Sequence, residues 1–231
     1  AEVITGAEII LLTAPDDSLE GLVQEIGEVE TSFRDKIFYH TSGALGSEIL
    51  SPLKEREAFI ASLHPLQSIA DRETGWRLLA GSWFALEGDE EAVREGRSLV
   101  ESLAGRSLEL KTGTKTLYHA AACVASNFLI TIEHIASRML AQSGIEPTEF
   151  YSVVGPLIRG TINNLEVKGP VQALTGPIAR GDLGTVRRHL KEIEKTIPAY
   201  LEFYKVMVRQ TVEVALAQGG LGQGKADELL A

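Results

Sequence analysis

The sequence predicts an α/β domain followed by an all-α domain, and two observations support this fold class. Short apolar strands alternate with helices as far as Leu110, which is typical of a parallel sheet with helical crossovers. From Thr114 onward the apolar residues follow a three-to-four spacing, which is typical of helices. We therefore expect an α/β domain over residues 1–112 and a helical domain over residues 113–231.

Polar motifs follow three strands of the first domain. Residues 7–14 are a continuous apolar run closed by Pro15, the pattern of a strand buried on both faces. The second strand, residues 36–40, ends in HTSG, and the third, residues 58–63, ends in HPLQ. Because ligands of parallel sheets bind at the carboxyl ends of strands, these motifs predict a ligand-binding edge.

The other elements follow from periodicity, capping residues and breakers. Asp16 and Asp17 supply cap side chains for a helix that ends near Ile26. The glycine-rich tail, residues 219–231, is expected to be disordered. The remaining predicted elements are strands at 82–86 and 107–110 around a helix at 90–103, and helices at 148–165, 183–194 and 197–217.

Residues 114–142 are predicted to form one long helix with an apolar stripe along its whole length. His119, Ser126 and Glu133 are seven residues apart, so they lie on a different face. Hydrogen-bonding groups beside a run of alanines need partners when they are buried. Those partners are either other core groups or a substrate. Cys123 is expected to fill space in the core.

Composition excludes several classes of protein. The net charge of −10 and the lack of a dense basic cluster argue against nucleic-acid binding. The single cysteine rules out an intramolecular disulfide and fits the reducing cytoplasm, where we expect the protein to be located. No apolar run approaches the roughly 20 residues of a membrane span, and no His, Cys, Asp and Glu spacing matches a metal site.

Three polar residues have both a functional and a structural interpretation. His64 precedes Pro65, so its backbone is extended, and its unperturbed pKa suits general acid–base catalysis. The alternative is a loop histidine bonded to the backbone. His40 is better explained by packing than by chemistry. Arg180 can clamp a carboxylate or phosphate, or form an ion pair with Asp182 that only rigidifies the loop.

Four segments together resemble a known family. They are HTSGALGSEILSPL, ASLHPLQS, LYHAAACVASNFL and ALTGPIARGD, in that order along the chain. They are similar to bacterial proteins that join a Rossmann-like domain to a C-terminal helical domain of unknown function. That family is regarded as NADP-dependent oxidoreductases related to pyrroline-5-carboxylate reductase and to the 6-phosphogluconate and 3-hydroxyisobutyrate dehydrogenases. The resemblance spans essentially all 231 residues.

The resemblance implies a partial Rossmann-type parallel sheet and a helical domain like the C-terminal domain of 6-phosphogluconate dehydrogenase. Members of the family begin with a strand and a GxGxxG turn that precede the equivalent of Ala7. No such turn follows a strand in this sequence, so we expect the first βαβ unit to be missing from it. The implied cofactor is NADP, and the residues expected to line it are Thr13, Ala14, Pro15 and Ser42.

The resemblance also suggests catalytic and substrate residues. Prephenate dehydrogenases have a similar His-Pro pair, in which the histidine is catalytic, and this favours a catalytic role for His64. Hydroxyacid dehydrogenases use a lysine and an asparagine near the start of the long helix. The nearest polar residues here are His119 and Asn127, with Lys115 one turn earlier, so that pattern is not reproduced. The predicted catalytic residues are His64, His119 and Asn127, and the predicted substrate-binding residues are Ser126, Asn163, Thr175 and Arg180.

The predicted function is NADP-linked oxidoreduction of a small carbonyl, imine or hydroxyacid in a cleft between the two domains. His64 would exchange the proton, His119 and Asn127 would orient the reacting atom, and Arg180 would hold an anionic substituent. Related enzymes dimerise through the helical domain, so a homodimer is expected, with no nucleic-acid or membrane partner. The alternative is a non-catalytic protein that senses a nucleotide or metabolite and retains the dehydrogenase fold.

Overall fold

The computed structural model describes residues 2–29 and 32–231, and the chain divides after Leu129 into two compact units. The strands are β1 (Ile9–Leu12), β2 (Ile37–His40), β3 (Phe59–Leu66), β4 (Trp83–Gly88) and β5 (Arg106–Glu109). The helices are α1 (Glu2–Thr5), α2 (Asp16–Val29), α3 (Ser51–Lys54), α4 (Glu90–Ser102), α5 (Lys115–Ala125), α6 (Asn127–Ala141), α7 (Phe150–Gln172), α8 (Leu183–Thr196), α9 (Leu201–Gln218) and α10 (Gln223–Leu230), with short 3₁₀ helices at Ser47–Leu50, Gly75–Leu78 and Pro198–Tyr200. The predicted order of an α/β part followed by helices alone is confirmed.

The five strands form one sheet in sequence order, and one of its pairings differs from the prediction. β1 pairs with β2, β2 with β3 and β4 with β5 in parallel, but β3 pairs with β4 in antiparallel fashion. A parallel pairing needs a crossover, which is usually helical. Between β3 and β4 the chain forms only the 3₁₀ helix Gly75–Leu78, and it folds back on itself. The expectation of an entirely parallel sheet was therefore wrong.

The sheet separates two hydrophobic cores. All four residues of β2 are buried, because alternate side chains of a central strand point to opposite faces. Phe38 packs on one face with Leu12, Val23 and Leu53, whereas Tyr39 packs on the other with residues of β3, β4 and α4. β2 thus has both faces covered, whereas the prediction that the first strand is buried on both faces was wrong: β1 lies at the edge of the sheet, with Ile10 and Leu12 buried and Ile9 and Leu11 40% and 46% exposed.

The predicted long helix is broken into two. α5 ends at Ala125 and α6 begins at Asn127, because Ser126 has φ −120° and ψ −67°. A break of one residue barely changes the phase of the apolar stripe, so periodicity did not reveal it. Of the described residues, Lys115–Ala141 is the one stretch long and apolar enough to span a membrane. An 18-residue window within it has mean hydropathy 1.3, and 11% of that window is buried. Length and hydropathy alone do not separate such a span from a helix covered by protein.

The second unit is helical, and its end is more ordered than expected. α7 includes a kink at Gly169, where φ is 75° and ψ is 166°, at the point where the sequence predicted a stop. The tail is not disordered, because α10 forms after Gly222. Leu221 and Ala226 are buried against Val212 of α9, and this burial supplies the free energy that a frayed tail lacks.

Candidate active site

Two side-chain contacts hold α5 against β3. Ser62 and His64 are two residues apart on β3, so they project from the same face. Lys115 and Tyr118 are three residues apart on α5, so they also share a face. The buried Lys115 ammonium donates a hydrogen bond to the Ser62 hydroxyl. Nδ1 of His64 lies 3.0 Å from the Tyr118 hydroxyl. α5 therefore runs along β3 in the same direction.

A cavity of about 670 Å³ opens beside these contacts in the first unit. The structure brings four of the predicted site residues to its wall, although they come from positions up to 63 residues apart: His64, His119, Ser126 and Asn127. The ring centroids of His64 and His119 are 6.0 Å apart. The rest of the wall is formed by Leu66, Gln67, Ser68, Ile69, Tyr118, Ala121, Ala122, Cys123 and Ala125.

Gly43, in the HTSG motif after β2, makes room for both histidine rings. A Cβ atom at this position would lie 2.3 Å from Cδ2 of His119 and 2.8 Å from Nε2 of His64. Both distances are below any normal contact between carbon or nitrogen atoms, so only glycine fits without movement of the rings. The HTSG motif, the HPLQ motif and α5 thus meet at one place, through Gly43, His64 and His119.

Burial and charge set the protonation of the site. The pKa of His64 is lowered to about 4, first by burial and then by the positive charge of Lys115. Burial also lowers the pKa of Lys115 to about 8. At pH 7 the imidazole is therefore neutral and the ammonium mostly protonated. Burial raises the pKa of the Tyr118 hydroxyl, which keeps its proton. The site therefore contains one cationic group, Lys115, and two neutral groups that carry protons, His64 and Tyr118.

His40 is a structural residue, which agrees with the interpretation favoured from sequence. It is completely buried, and its Nε2 lies 3.0 Å from the Gly46 carbonyl oxygen. The Ser42 amide donates to Nδ1 of the same ring at 3.2 Å. Both ring nitrogens are therefore used by the backbone, with Nε2 as donor and Nδ1 as acceptor. Burial first, and Lys115 second, lower the pKa of His40 to about 4.

The predicted cofactor residues lie at the ends of β1 and β2. Thr13, Ala14 and Pro15 follow β1, and Ser42 follows β2, whose last residue pairs with Leu12. This edge presents backbone and small side chains, which suit a flat ring and its sugar. The first turn of α2 carries Asp16 and Asp17, whose carboxylates repel phosphate. Ser42 is buried at this edge, and its hydroxyl accepts hydrogen bonds from the amides of Ala44 and Leu45 at 3.2 and 3.0 Å.

The other three predicted substrate residues belong to the second unit. Asn163 lies on α7, and Thr175 and Arg180 are exposed in the loop between α7 and α8. The carboxylate of Asp182 caps α8 and accepts hydrogen bonds from the amide and hydroxyl of Thr185, at 3.0 and 2.7 Å. Asp182 thus has a helix-capping role that the sequence analysis did not assign to it.

Sequence reasoning missed Lys115 and Tyr118 and misplaced Cys123. Lys115 is four residues before His119, a spacing that puts both on one helical face, and this was the available signal. Tyr118 carried no signal apart from its position next to His119. Cys123 is not a core residue, because it lines the cavity with its Sγ 3.9 Å from Nδ1 of His119. It is a free thiol.

Solved structures share the fold over almost the whole chain. A Thermotoga maritima protein, TM1727, is 26% identical, and the match covers 92% of this chain and 80% of that one at a TM-score of 0.76. The Bacteroides fragilis protein BF3122, described as a "putative NADP oxidoreductase", is 20% identical over 90% of this chain and 76% of that one, at 0.70. The 1-pyrroline-5-carboxylate reductase of Streptococcus pyogenes is 15% identical over 99% and 78%, at 0.57.

Family models match both parts of the chain, whereas no curated protein matches it in sequence. Residues 1–65 match a Rossmann-like domain. Residues 82–211, more than half of the chain, match a domain of unknown function, DUF2520. The resemblance inferred from the sequence motifs is confirmed by this pair of domains and by the structural neighbours. The chain therefore belongs to the DUF2520 family, whose domain here follows a Rossmann-like domain.

Proposed function

We propose that the protein is an NADP-linked oxidoreductase that acts on a small carbonyl, imine or hydroxyacid substrate in the cavity beside His64. One observation carries the proposal. The buried ammonium of Lys115 donates a hydrogen bond to Ser62, which lies two strand positions before His64, and His64 lines the cavity. A buried lysine with a pKa of about 8 is unusual and suits proton transfer near neutral pH.

The structural neighbours support the choice of reaction class. BF3122 is described as an NADP oxidoreductase, and 1-pyrroline-5-carboxylate reductase is named for a cyclic imine. When bound, NADP would carry the hydride. The residues that would hold its nicotinamide end are Thr13, Ala14, Pro15 and Ser42, at the ends of β1 and β2.

The roles of the chain's own residues follow from their protonation. In the reducing direction a carbonyl oxygen or imine nitrogen gains a proton, and in the oxidising direction a hydroxyl loses one. We assign this transfer to His64, which is neutral at pH 7 and therefore passes on a proton that the Lys115 ammonium gives up. The ammonium becomes a neutral amine, and the Tyr118 hydroxyl is the hydrogen-bond partner of His64. His119 and Asn127, on the wall of the same cavity, orient the reacting atom.

The other predicted substrate-binding roles are also proposals. Ser126 contributes a hydroxyl to the cavity wall. Arg180 is proposed to hold an anionic substituent, with Asn163 and Thr175 as further polar contacts. The support for these three residues is their chemistry and the family resemblance. Guanidinium groups bind carboxylates and phosphates through two parallel hydrogen bonds.

The test is a binding titration followed by a turnover screen of the full chain. NADPH and NADH are titrated by nucleotide fluorescence, and oxidation of the nucleotide is then followed with keto acids and cyclic imines. The reverse reaction is followed with hydroxyacids. We expect NADPH to bind more tightly than NADH and at least one substrate class to turn over. Binding of nucleotide without any turnover would support a sensor, and failure to bind either nucleotide would reject both functions.

We also propose that the protein is a homodimer that associates through its second unit. α7 exposes several large apolar side chains, among them Leu157 and Val167, which are 72% and 73% exposed. α6 exposes Ile130 at 65%. Large apolar side chains that are exposed on a helix face are candidates for burial in an interface. A second copy of the same helices offers an equally apolar surface in a two-fold arrangement.

A further inference from the structure

A row of three buried polar residues crosses the middle of the sheet. His40 of β2 pairs with Ser62 of β3, and Ser62 pairs with Glu87 of β4. Residues that are paired across neighbouring strands project from the same face. The exposed fractions are 0% for His40, 0% for Ser62 and 2% for Glu87. Lys115 of α5, also 2% exposed, lies on this row through its hydrogen bond to Ser62.

The row contains a buried cation and a buried anion that are not in direct contact. In the parts of the chain that the structure describes, no carboxylate lies within 4.0 Å of the Lys115 ammonium. The Glu87 carboxylate accepts hydrogen bonds from the Ser47 amide at 2.8 Å and from the Ser47 hydroxyl at 2.9 Å. Burying a charge without an opposite charge nearby costs free energy. The Lys115 ammonium and the Glu87 carboxylate therefore each reduce the cost of burying the other.

We propose that Glu87 is a positioning residue that keeps Lys115 protonated in the site, acting across the buried polar row and not through a direct ion pair. The importance of this for catalysis rests on the proposed function, but the electrostatic effect on Lys115 does not. Charge interactions in a buried row are screened less than those in water, so a carboxylate beyond 4 Å still acts strongly.

The other charged and titratable groups around Lys115 have weaker or opposite effects. His64 of β3 and His40 of β2 are neutral at pH 7. Asp16 of α2 and Glu48 of the 3₁₀ helix Ser47–Leu50 carry negative charge but are exposed to solvent. Burial lowers the pKa of Lys115, and Glu87 is the largest influence that raises it, ahead of Asp16 and Glu48. Both the buried row and the order of the charge effects therefore identify Glu87 as the main group that keeps Lys115 protonated.

A purely structural role for Glu87 is the competing explanation. Its two hydrogen bonds to Ser47 anchor the 3₁₀ helix that follows the HTSG motif.

Two variants separate the electrostatic explanation from the structural one. Glu87→Gln removes the charge and retains an oxygen that accepts from Ser47. Ser47→Ala removes one of the hydrogen bonds and leaves the charge. Glu48→Gln is the matched control, since it makes the same chemical change at an exposed site next to Ser47.

The readout is the titration of Lys115 itself. Protein labelled with ¹³C and ¹⁵N lysine is titrated by NMR, and the Lys115 signal is assigned as the one that disappears in Lys115→Met. We expect Glu87→Gln to lower the Lys115 pKa by about one unit or more, and Glu48→Gln and Ser47→Ala to change it by much less. Glu87→Asp, which keeps the charge, should restore most of the wild-type value.

Two results would overturn the proposal. One is an unchanged Lys115 titration in folded Glu87→Gln. The other is a shift in Ser47→Ala as large as that in Glu87→Gln, which would assign the effect to the anchoring of the 3₁₀ helix. If Glu87→Gln does not fold, Glu87→Ala, which also removes the charge, is titrated in its place and must lower the Lys115 pKa in the same way. The titration needs neither nucleotide nor substrate, so an inactive wild-type protein would reject the proposed function and leave this measurement valid.

Discussion

The hydroxyl of Tyr118 lies 3.0 Å from Nδ1 of His64, and it joins a helix to a strand 54 residues earlier in the chain. The second unit contains a similar pair, in which the Tyr204 hydroxyl lies 2.7 Å from Nδ1 of the exposed His189. The two pairs have the same chemistry, but only the first lines the cavity. They therefore offer a matched comparison between a hydrogen bond at the site and one elsewhere.

Tyr118→Phe should lower kcat with little change in stability. The variant keeps the ring but loses the partner that orients His64, at a cost of about 1 kcal/mol, or roughly fivefold in rate. Tyr204→Phe loses the equivalent bond and should leave kcat unchanged. Steady-state kinetics of both variants test this. Equal activities for wild type and Tyr118→Phe would show that the tyrosine does not orient His64.

The rate of reduction should fall as the pH rises through about 8. Lys115 has a pKa of about 8, so above this pH the site loses its buried proton source. His64 is neutral above about pH 4, so it adds no second transition near neutral pH. The measurement is kcat/KM for reduction between pH 5.5 and 10. Lys115→Arg, which stays charged, should remove the alkaline transition, and an identical profile in that variant would contradict the assignment.

Acidification should destabilise the protein between about pH 6.5 and 4. His40 has a folded-state pKa of about 4, below its value of 6.5 in an unfolded chain, so the unfolded state binds more protons in this range. The contribution of His40 to the free energy of unfolding is therefore fully present above the unfolded-state pKa, and it is lost as the pH falls through this range. The loss from His40 alone is on the order of 3 kcal/mol.

Urea denaturation at a series of pH values measures this loss. His40→Gln, which removes one of two such rings, should reduce the dependence of unfolding free energy on pH and not abolish it, because His64 keeps its own pKa of about 4. His134→Gln, at an exposed position of α6, is the control and should keep the wild-type slope. A wild-type slope in His40→Gln would mean that other groups cause the acid sensitivity.

Gly43→Ala should impair activity far more than folding. Its Cβ would lie 2.3 Å from Cδ2 of His119, so at least one histidine ring must move away. A displacement of about 1 Å of a catalytic group costs roughly a hundredfold in rate. Gly21→Ala on α2 meets no atom within 4 Å and should be neutral or slightly stabilising, by about 0.5–1 kcal/mol. Wild-type turnover in Gly43→Ala would show that the positions of the rings are not critical.

Charged substitutions on α7 should dissociate the proposed dimer. Leu157→Glu and Val167→Glu place a charge on exposed apolar positions, and sedimentation velocity should then report a monomer. Leu103→Glu, also at an exposed apolar position but in the first unit, is the control and should remain dimeric. A wild-type protein that sediments as a monomer would reject the dimer directly.

The sequence predicted elements well where the signal was local. The apolar runs of β1 and β2 and the spacing along α8 and α9 correspond to the observed strands and helices. The direction of β4 was not predictable in this way, because strand direction depends on the connection and not on the residues of the strand. α10 was missed because its stability comes from packing of Leu221 and Ala226 on distant residues, which composition does not reveal.

The site was partly predictable for the same reason. His64 was identified from its position at a strand end, and His119, Ser126 and Asn127 from their positions on the long predicted helix, and the cavity brings these four together. Lys115 was given no role because it lies one turn before His119 and so did not reproduce the lysine and asparagine pattern of the hydroxyacid dehydrogenases. Its burial depends on a contact with Ser62, which is 53 residues away in sequence. Such a contact becomes visible only when α5 is placed on β3.

The direction of α5 along β3 has a consequence for engineering. Lys115 lies at the first residue of the helix, whereas Ala125 and Ser126 lie at its end, about 15 Å farther along the axis. Lys115, the proposed proton source, and the residues that shape the far end of the cavity therefore lie at opposite ends of α5. Selection for a larger or smaller substrate can act on the small residues Ala121, Ala122 and Ala125 while the acid–base group stays unchanged. A scaffold with this separation is suited to changing specificity without redesign of its chemistry.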